Sequence, residues 1–210
     1  MLFIGITGGV GAGKSEILSY LNNKPKVRVM LADEIAHDVM EPGGIAYDSI
    51  CQAFAGDDIF PDGATEAKPA FDRKKLAQVI FQDAGKRDVL NQIVHPAVKA
   101  YVKEQYLLEL QKDELSVLVL EAALLIEENY REFCQELWYI YTTEENRRSR
   151  LKAARGYSDE KISGIFAAQM TEEVFRAHCV EVIDNNGSKE AAFAQIDQAL
   201  ERAFDRHKTC

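Results

Sequence analysis

Positive charge is scarce in this chain. Lysine and arginine number 25 against 34 aspartates and glutamates, a formal net charge of −9 at pH 7 and a sequence pI near 5.0. Broad affinity for nucleic acid comes from clustered Lys and Arg displacing counterions from phosphates, so the deficit excludes a general nucleic-acid binder and allows only a local basic site. Cysteine is sparse too: Cys51, Cys134, Cys179 and Cys210 stand far apart and form no C-x-x-C. That spacing excludes a zinc knuckle or a thioredoxin-like pair and predicts free thiols. No segment reaches the roughly 18 uninterrupted apolar residues of a membrane span. The apolar start, Met1 to Ile6, lacks a basic region before it and runs at once into glycines, which reads against a signal peptide and for the cytoplasm. Internal repeats, low-complexity tracts and linkers are absent as well. What is present is ordinary: 210 residues, 47% hydrophobic and 28% charged. Such a chain folds as a soluble protein with one large domain, or a core with insertions.

Hydrophobic patterning predicts alternating strands and helices. Leu2 to Ile6 is a short apolar run, followed by a glycine-rich loop and a helix carrying Ile17, Leu18 and Leu21. Further strands are expected at Val27–Leu31, Ser116–Leu120, Leu137–Tyr141 and Val180–Ile183. Helices are expected from about Asp33 to Met40, from Ile45 to about Lys112 with a loop near Gly56 to Pro69, briefly at Ala122–Glu128, up to about Arg155, after Ser158 as N-cap, and from Lys189 to about Phe204. Five strands alternating with helices imply an α/β fold with a mainly parallel sheet.

The strongest motif is Gly8-Gly9-Val10-Gly11-Ala12-Gly13-Lys14-Ser15, a full G-x-x-x-x-G-K-[ST] between a strand and a helix. Glycines let successive backbone N–H groups turn inward around phosphate oxygens at a helix N-terminus. Lys14 is placed to neutralise β- and γ-phosphates, and the Ser15 hydroxyl to complete the coordination of Mg²⁺. The expected ligand is a purine nucleoside triphosphate with Mg²⁺, within a P-loop NTPase-like three-layer α/β/α fold. A GTPase is disfavoured: Asn23-Lys24 is followed by Pro25-Lys26, so N-K-x-D is missing, and the D-x-x-G at Asp184 to Gly187 lies far from the loop.

Four other features bear on chemistry. Asp33 follows the second strand; parallel sheets bind ligands at the carboxyl ends of their strands, so its carboxylate suits a proton acceptor for an attacking hydroxyl, and a helix N-cap equally well. Arg147, Arg148, Arg150, Lys152 and Arg155 crowd one helix, either as a solvated face or as a lid of arginines that closes over a transferring phosphoryl group. His95 precedes Pro96, read as a helix start, where it orients a substrate or packs. Glu121 follows the third strand, where a carboxylate binds a substrate group or holds Mg²⁺ through water.

Taken in order, Ile6-Thr7 with the P-loop, Ala32-Asp33, Glu41-Pro42-Gly43, Leu90-Asn91, His95-Pro96, Glu121 with Leu124-Leu125 and Glu127, Arg150-Leu151 to Arg155, Gln169, and Val182-Ile183-Asp184-Asn185 resemble the dephospho-CoA kinase family over nearly the whole chain. The resemblance implies transfer of the ATP γ-phosphoryl group to the ribose 3′-hydroxyl of dephospho-CoA, the last step of coenzyme A synthesis. It further implies ATP contacts from Gly9, Gly11, Ala12, Gly13, Lys14, Ser15, Glu16, Asn185 and Asn186. Asp33, Lys14, Arg150 and Arg155 become the catalytic set, and Thr7, Asp33, His95, Glu121 and Leu124 the substrate contacts. Residues 45–112 become a helical insert that binds the CoA substrate and 143–178 a lid, around a core of 1–44, 113–142 and 179–210. The chain departs from the family pattern at Leu31, Glu16 and Ala123, where Asp, Thr and Pro are usual; the Glu16 side chain is expected to point away from the phosphates. Another small-molecule P-loop kinase, or a nucleotide-binding regulator without transfer chemistry, shares the sheet and loop, and an acceptor assay separates the three. The sequence leaves the oligomeric state open.

Overall fold

A computed structural model describes residues 1–208. The chain divides into two compact units, one of Met1–Met30 with everything described from Glu109 onward, the other Leu31–Leu108.

The first unit is built on the sheet. β1 (Leu2–Thr7) is buried along its whole length, as expected of a parallel strand covered on both faces. β2 (Val27–Leu31), β3 (Val117–Glu121), β4 (Glu136–Tyr141) and β5 (Glu181–Asp184) complete a five-stranded sheet in the order β2-β3-β1-β4-β5. β1 pairs in parallel with β3 and β4, and β4 with β5. The chain runs from β1 to β2 and β3 on one side, then crosses to β4 and β5 on the other. The loop after β1 therefore opens at the point where strand order reverses, where parallel sheets present their ligand crevice. Helices α1 (Lys14–Asn22), α6 (Glu144–Arg155), α7 (Asp159–Ala167), α8 (Glu172–His178) and α9 (Lys189–His207) belong to this unit and make the fold a three-layer α/β/α. Side-chain caps set several starts: Thr143 accepts from the Asn146 N–H, Ser158 from Lys161 and Ser188 from Ala191, each satisfying an orphan donor of the first turn. α9 is anchored to α1 by a Tyr20–Phe193 stack with ring centroids 4.0 Å apart and by Tyr20 donating to Asp197.

The second unit is helical: α2 (Ala32–Met40), α3 (Tyr47–Ala53), α4 (Arg73–Gln82) and the greater part of α5 (Ala84–Lys112). Tyr47 of α3 and Phe60 and Phe71 of the loop between α3 and α4 form an aromatic cluster.

Three expectations are corrected. Ala122–Glu128 is a run of turns leading to a single 3-10 turn at Tyr130–Glu132. The Ala122 N–H is turned toward the Ile6 carbonyl at the end of β1, and Asn129 takes the left-handed conformation, so both ends of the run leave the helical path. Pro96 starts no helix, because α5 runs through it; the missing N–H costs one internal bond, and the buried Leu90, Val94, Ala97, Val98 and Val102 hold the helix on either side. Asp33 is not an N-cap: Leu31 occupies that position and Asp33 the second helical one, where a carboxylate favours the helix dipole. The short helix α8 had no forecast. Among the described residues no helix is long and apolar enough to cross a membrane. Cys51, Cys134 and Cys179 are free thiols, and Cys210 lies outside the described residues.

Candidate active site

The loop between β1 and α1 is held by its carbonyls. Lys14 Nζ donates to the Gly8 carbonyl at 2.7 Å, and Arg147 Nε to that of Val10 at 2.9 Å. The Ala12 carbonyl accepts from Asn185 Nδ2 at 2.7 Å, Thr142 Oγ1 at 3.0 Å and Arg150 at 3.2 Å. The Ala12 N–H closes a turn onto the Gly9 carbonyl at 3.1 Å, and with the carbonyls of Gly8, Val10 and Ala12 engaged, backbone N–H groups are what the loop has left to offer an anion. Gly13 makes this possible. Its φ of 82° is the left-handed region, and a side chain there would meet Asn185 Nδ2 at 2.5 Å. Because Gly13 is also the N-cap of α1 and offers no side-chain oxygen, the first N–H groups of the helix keep no internal partner and remain available to a phosphate.

Lys14 has a second neighbour. Glu121, the last residue of β3, places Oε1 at 3.5 Å from its ammonium, with both side chains largely covered. Two parallel strands, β1 and β3, thus deliver a cation and a carboxylate to the same end of the sheet. Ser15 lies exposed in the first turn of α1 beside Lys14. Glu16 is turned outward and pairs with Lys189 at 2.7 Å, as expected for a carboxylate that must avoid phosphate. The hydroxyl of Ser15 and the carboxylate of Glu121 are hard oxygen donors, the chemistry Mg²⁺ requires.

The arginines of α6 split into two sets. Arg150 bonds the carbonyls of Ala12 and Asn185, the latter at 2.6 Å, and Arg147 reaches Val10 and Gln169, so both are docked on the loop. Arg148 and Lys152 face outward to Glu144 and Asp159, and Arg155 sits exposed at the end of α6 near the ring of Tyr157. Burial pushes the Arg147 guanidinium below its usual range, against the favourable pull of Tyr139 and Glu144. Burial also raises the neighbouring Tyr139 phenol to about 12.

Asn185 and Asn186 border the loop by different routes. Asn185 is buried and grips Ala12; Asn186 Oδ1 accepts from the Thr143 N–H at 2.9 Å and from Asn146 at 2.8 Å. Thr7 is buried at the end of β1, and Leu124 is 39% exposed in the turns after β3. Asp33 and His95 lie in the second unit, Asp33 exposed in the first turn of α2 and His95 half-buried within α5. Sequence reading gave no role to Thr142 and did not single out Arg147 within its helix. The signal lay only in the density of arginines, since the loop carbonyls that Thr142 and Arg147 hold are more than 100 positions away.

Comparison with known proteins follows the same lines. A family model described as dephospho-CoA kinase matches residues 2–191. The chain is 38% identical over 197 residues to the dephospho-CoA kinase of Shouchella clausii, covering 94% of this chain and 96% of that protein. It is 36% identical over 204 residues to that of Geobacter sulfurreducens, covering 97% and 100%. Among solved structures, a Thermus thermophilus protein superposes with a TM-score of 0.73 at 26% identity, covering 96% of each chain.

Proposed function

The chain belongs to the dephospho-CoA kinase family, and on that premise we propose that it transfers the γ-phosphoryl group of ATP to the ribose 3′-hydroxyl of dephospho-CoA. It is a kinase, and its reaction yields coenzyme A. One observation carries the choice of acceptor: the family match spans residues 2–191, the phosphate loop and the helical second unit alike. The phosphate loop by itself supports any P-loop kinase.

The loop amides from Gly9 to Gly13 and the open N-terminus of α1 bind the ATP phosphates, and Lys14 moves from the Gly8 carbonyl and Glu121 toward the β- and γ-phosphates. Ser15 and Glu121 would hold Mg²⁺, which would offset negative charge on the phosphates. Asp33 accepts the proton of the 3′-hydroxyl as its oxygen attacks phosphorus in line and the bond to the ADP oxygen breaks. Arg150 and Arg155 stabilise the equatorial oxygens of the transferring group. Residues 45–112 receive dephospho-CoA, with Thr7, His95 and Leu124 near the acceptor; 143–178 act as the lid, and Asn185 and Asn186 border the adenine. The free thiols support a place in the cytoplasm.

The test is ATP consumption by the purified protein with dephospho-CoA, nucleosides and nucleoside monophosphates offered singly, with the position of the new phosphate read by phosphorus NMR. Turnover with dephospho-CoA and a 3′-phosphate in the product is expected. Turnover with a monophosphate and none with dephospho-CoA overturns the assignment.

A further inference from the structure

Arg147 is used differently from the outward-facing bases of its helix. Arg148 is matched by Glu144 at 2.8 Å and Asp159 at 3.1 Å, and Lys152 by Asp159 at 2.7 Å. Arg147 has no carboxylate at ion-pair distance among the described residues, and its hydrogen-bond acceptors are neutral. Nε donates to the Val10 carbonyl at 2.9 Å, and a terminal amino group donates to Gln169 Oε1. One face of the guanidinium lies 4.2 Å from the centroid of Phe166, a cation–π distance. It also packs so closely on Gly9 that a methyl group there would overlap it. Gly9 and Val10 form the first half of the phosphate loop; Phe166 belongs to α7 and Gln169 follows its end. One planar fork therefore ties the loop to the segment 166–169, a geometry that lysine, with a single point charge, does not reproduce.

A half-buried cation satisfied only by neutral acceptors is costly until an anion arrives. We infer that Arg147 is a positioning residue for phosphoryl transfer: it fixes the Gly9–Val10 half of the phosphate loop, couples that geometry to the α7–Gln169 segment, and keeps its charge unmatched for a nucleotide polyphosphate. The inference rests on the reading of this loop as the ATP phosphate site. Whatever strengthens Arg147's hold on Gln169 favours polyphosphate binding, and by reciprocity bound polyphosphate stabilises the α7 segment.

The experiment compares the full chain with Arg147→Met, Arg147→Lys, Gln169→Ala and the Arg147→Met/Gln169→Ala double variant. ADP and ATP affinity are read by calorimetry, kcat and both KM values by assay, and amide exchange of α7 with and without ADP. Arg147→Met should weaken nucleotide binding and raise the KM for ATP about 10- to 100-fold, the range for losing a charged hydrogen bond, while the KM for dephospho-CoA stays within about twofold. ADP should slow exchange in α7 of the wild type but not of Arg147→Met or Arg147→Lys, and Arg147→Lys should recover part of the affinity. Gln169→Ala should weaken ADP binding several-fold, and the double variant should be no worse than Arg147→Met. Gln169→Ala leaves Arg147 in place and decides the question if Arg147→Met fails to fold. Unchanged ADP affinity in Gln169→Ala, additive losses in the double variant, or ADP protection of α7 persisting without Arg147 overturns the inference. A wild type that binds ADP but ignores dephospho-CoA overturns the functional reading and leaves this one intact.

Discussion

At the amino-terminal edge of the sheet, two buried glutamates are held by the last helix, and removing one arginine tests how much of the fold that grip supports. Glu136 begins β4 and is 2% exposed at its side chain; Glu181 begins β5 and is 10% exposed. Arg206 of α9 donates twice to Glu136, at 2.8 and 2.9 Å, and once to Glu181 at 2.8 Å. Truncating one partner of a buried pair costs about 3–5 kcal/mol. Two facts lower that here: Arg206 is 37% exposed, so solvent screens its charge, and each carboxylate keeps other donors. Glu136 retains Trp138 Nε1 at 2.8 Å and His207 at 3.1 Å, and Glu181 retains both arms of Arg202. Arg206→Met, which keeps the apolar stem, should therefore destabilise by about 2–3 kcal/mol, or roughly 4–12 °C in Tm for a chain of this size. Burial pushes Glu136 and Glu181 up, but the hydrogen bonds from Arg206 and their other donors outweigh it and hold both carboxyls below the usual range. A depressed folded pKa stabilises above the unfolded value, about 4.3 for Glu, and that stability is lost as pH falls through the folded value. The gap between variant and wild type should be full at pH 7 and close on acidification below about 4. Urea unfolding followed by the fluorescence of the single tryptophan, Trp138, reads this directly, since its indole donates to Glu136. Turnover well below Tm should be unchanged, because Ile4 pairs with Glu136 three residues before Thr7 and the loop beyond it. A loss under about 0.5 kcal/mol, or a gap that widens toward acid, refutes the reasoning.

Other changes strike the site itself. Lys14→Ala should raise the KM for ATP and lower turnover about 10²- to 10³-fold, the usual effect of losing one charge-stabilising donor; wild-type kcat in steady-state assays would remove Lys14 from its role. Asp33→Asn should lower kcat about 10²- to 10⁴-fold with ATP affinity by calorimetry near wild type, and near-normal turnover excludes Asp33 as the base. Burial lifts the Cys134 and Cys179 thiols to about 12, so at pH 7.5 fewer than about one in 10⁴ is ionised. Alkylation followed by mass spectrometry should find both unmodified until the protein unfolds, and labelling in the native state contradicts the burial.

Elements that declare themselves locally were legible. The P-loop string, the apolar strand Val27–Leu31, the helix ending at Arg155 and the Ser158 cap each depend on residues within a few positions. Errors fell where a distant partner decides. Pro96 reads as a helix start until the buried residues on both sides of it hold α5 continuous. Ala122-Ala123-Leu124-Leu125 reads as helix until the Ala122 N–H is seen turned toward the end of β1. Arginines crowded on one helix read as a single group, yet Arg147 and Arg150 face loop carbonyls while Arg148 and Lys152 face acids beside them.

The sequence by itself determined the α/β alternation, the phosphate loop with Lys14 and Ser15, and the family to which the chain is kin, because periodicity, glycine placement and motif order are local properties. Only the tertiary structure decided that the carbonyl of Val10 is held by Arg147 and that of Ala12 by Asn185, Thr142 and Arg150. It also decided that Glu121 meets Lys14. The physical reason is that a hydrogen bond or ion pair acts over about 3–4 Å, and only the parallel pairing of β1 with β3 and β4 brings residues more than 100 positions apart within that reach. A net charge of −9 thereby coexists with a loop at which Lys14, Arg147 and Arg150 gather, with the carboxylate of Glu121 beside Lys14.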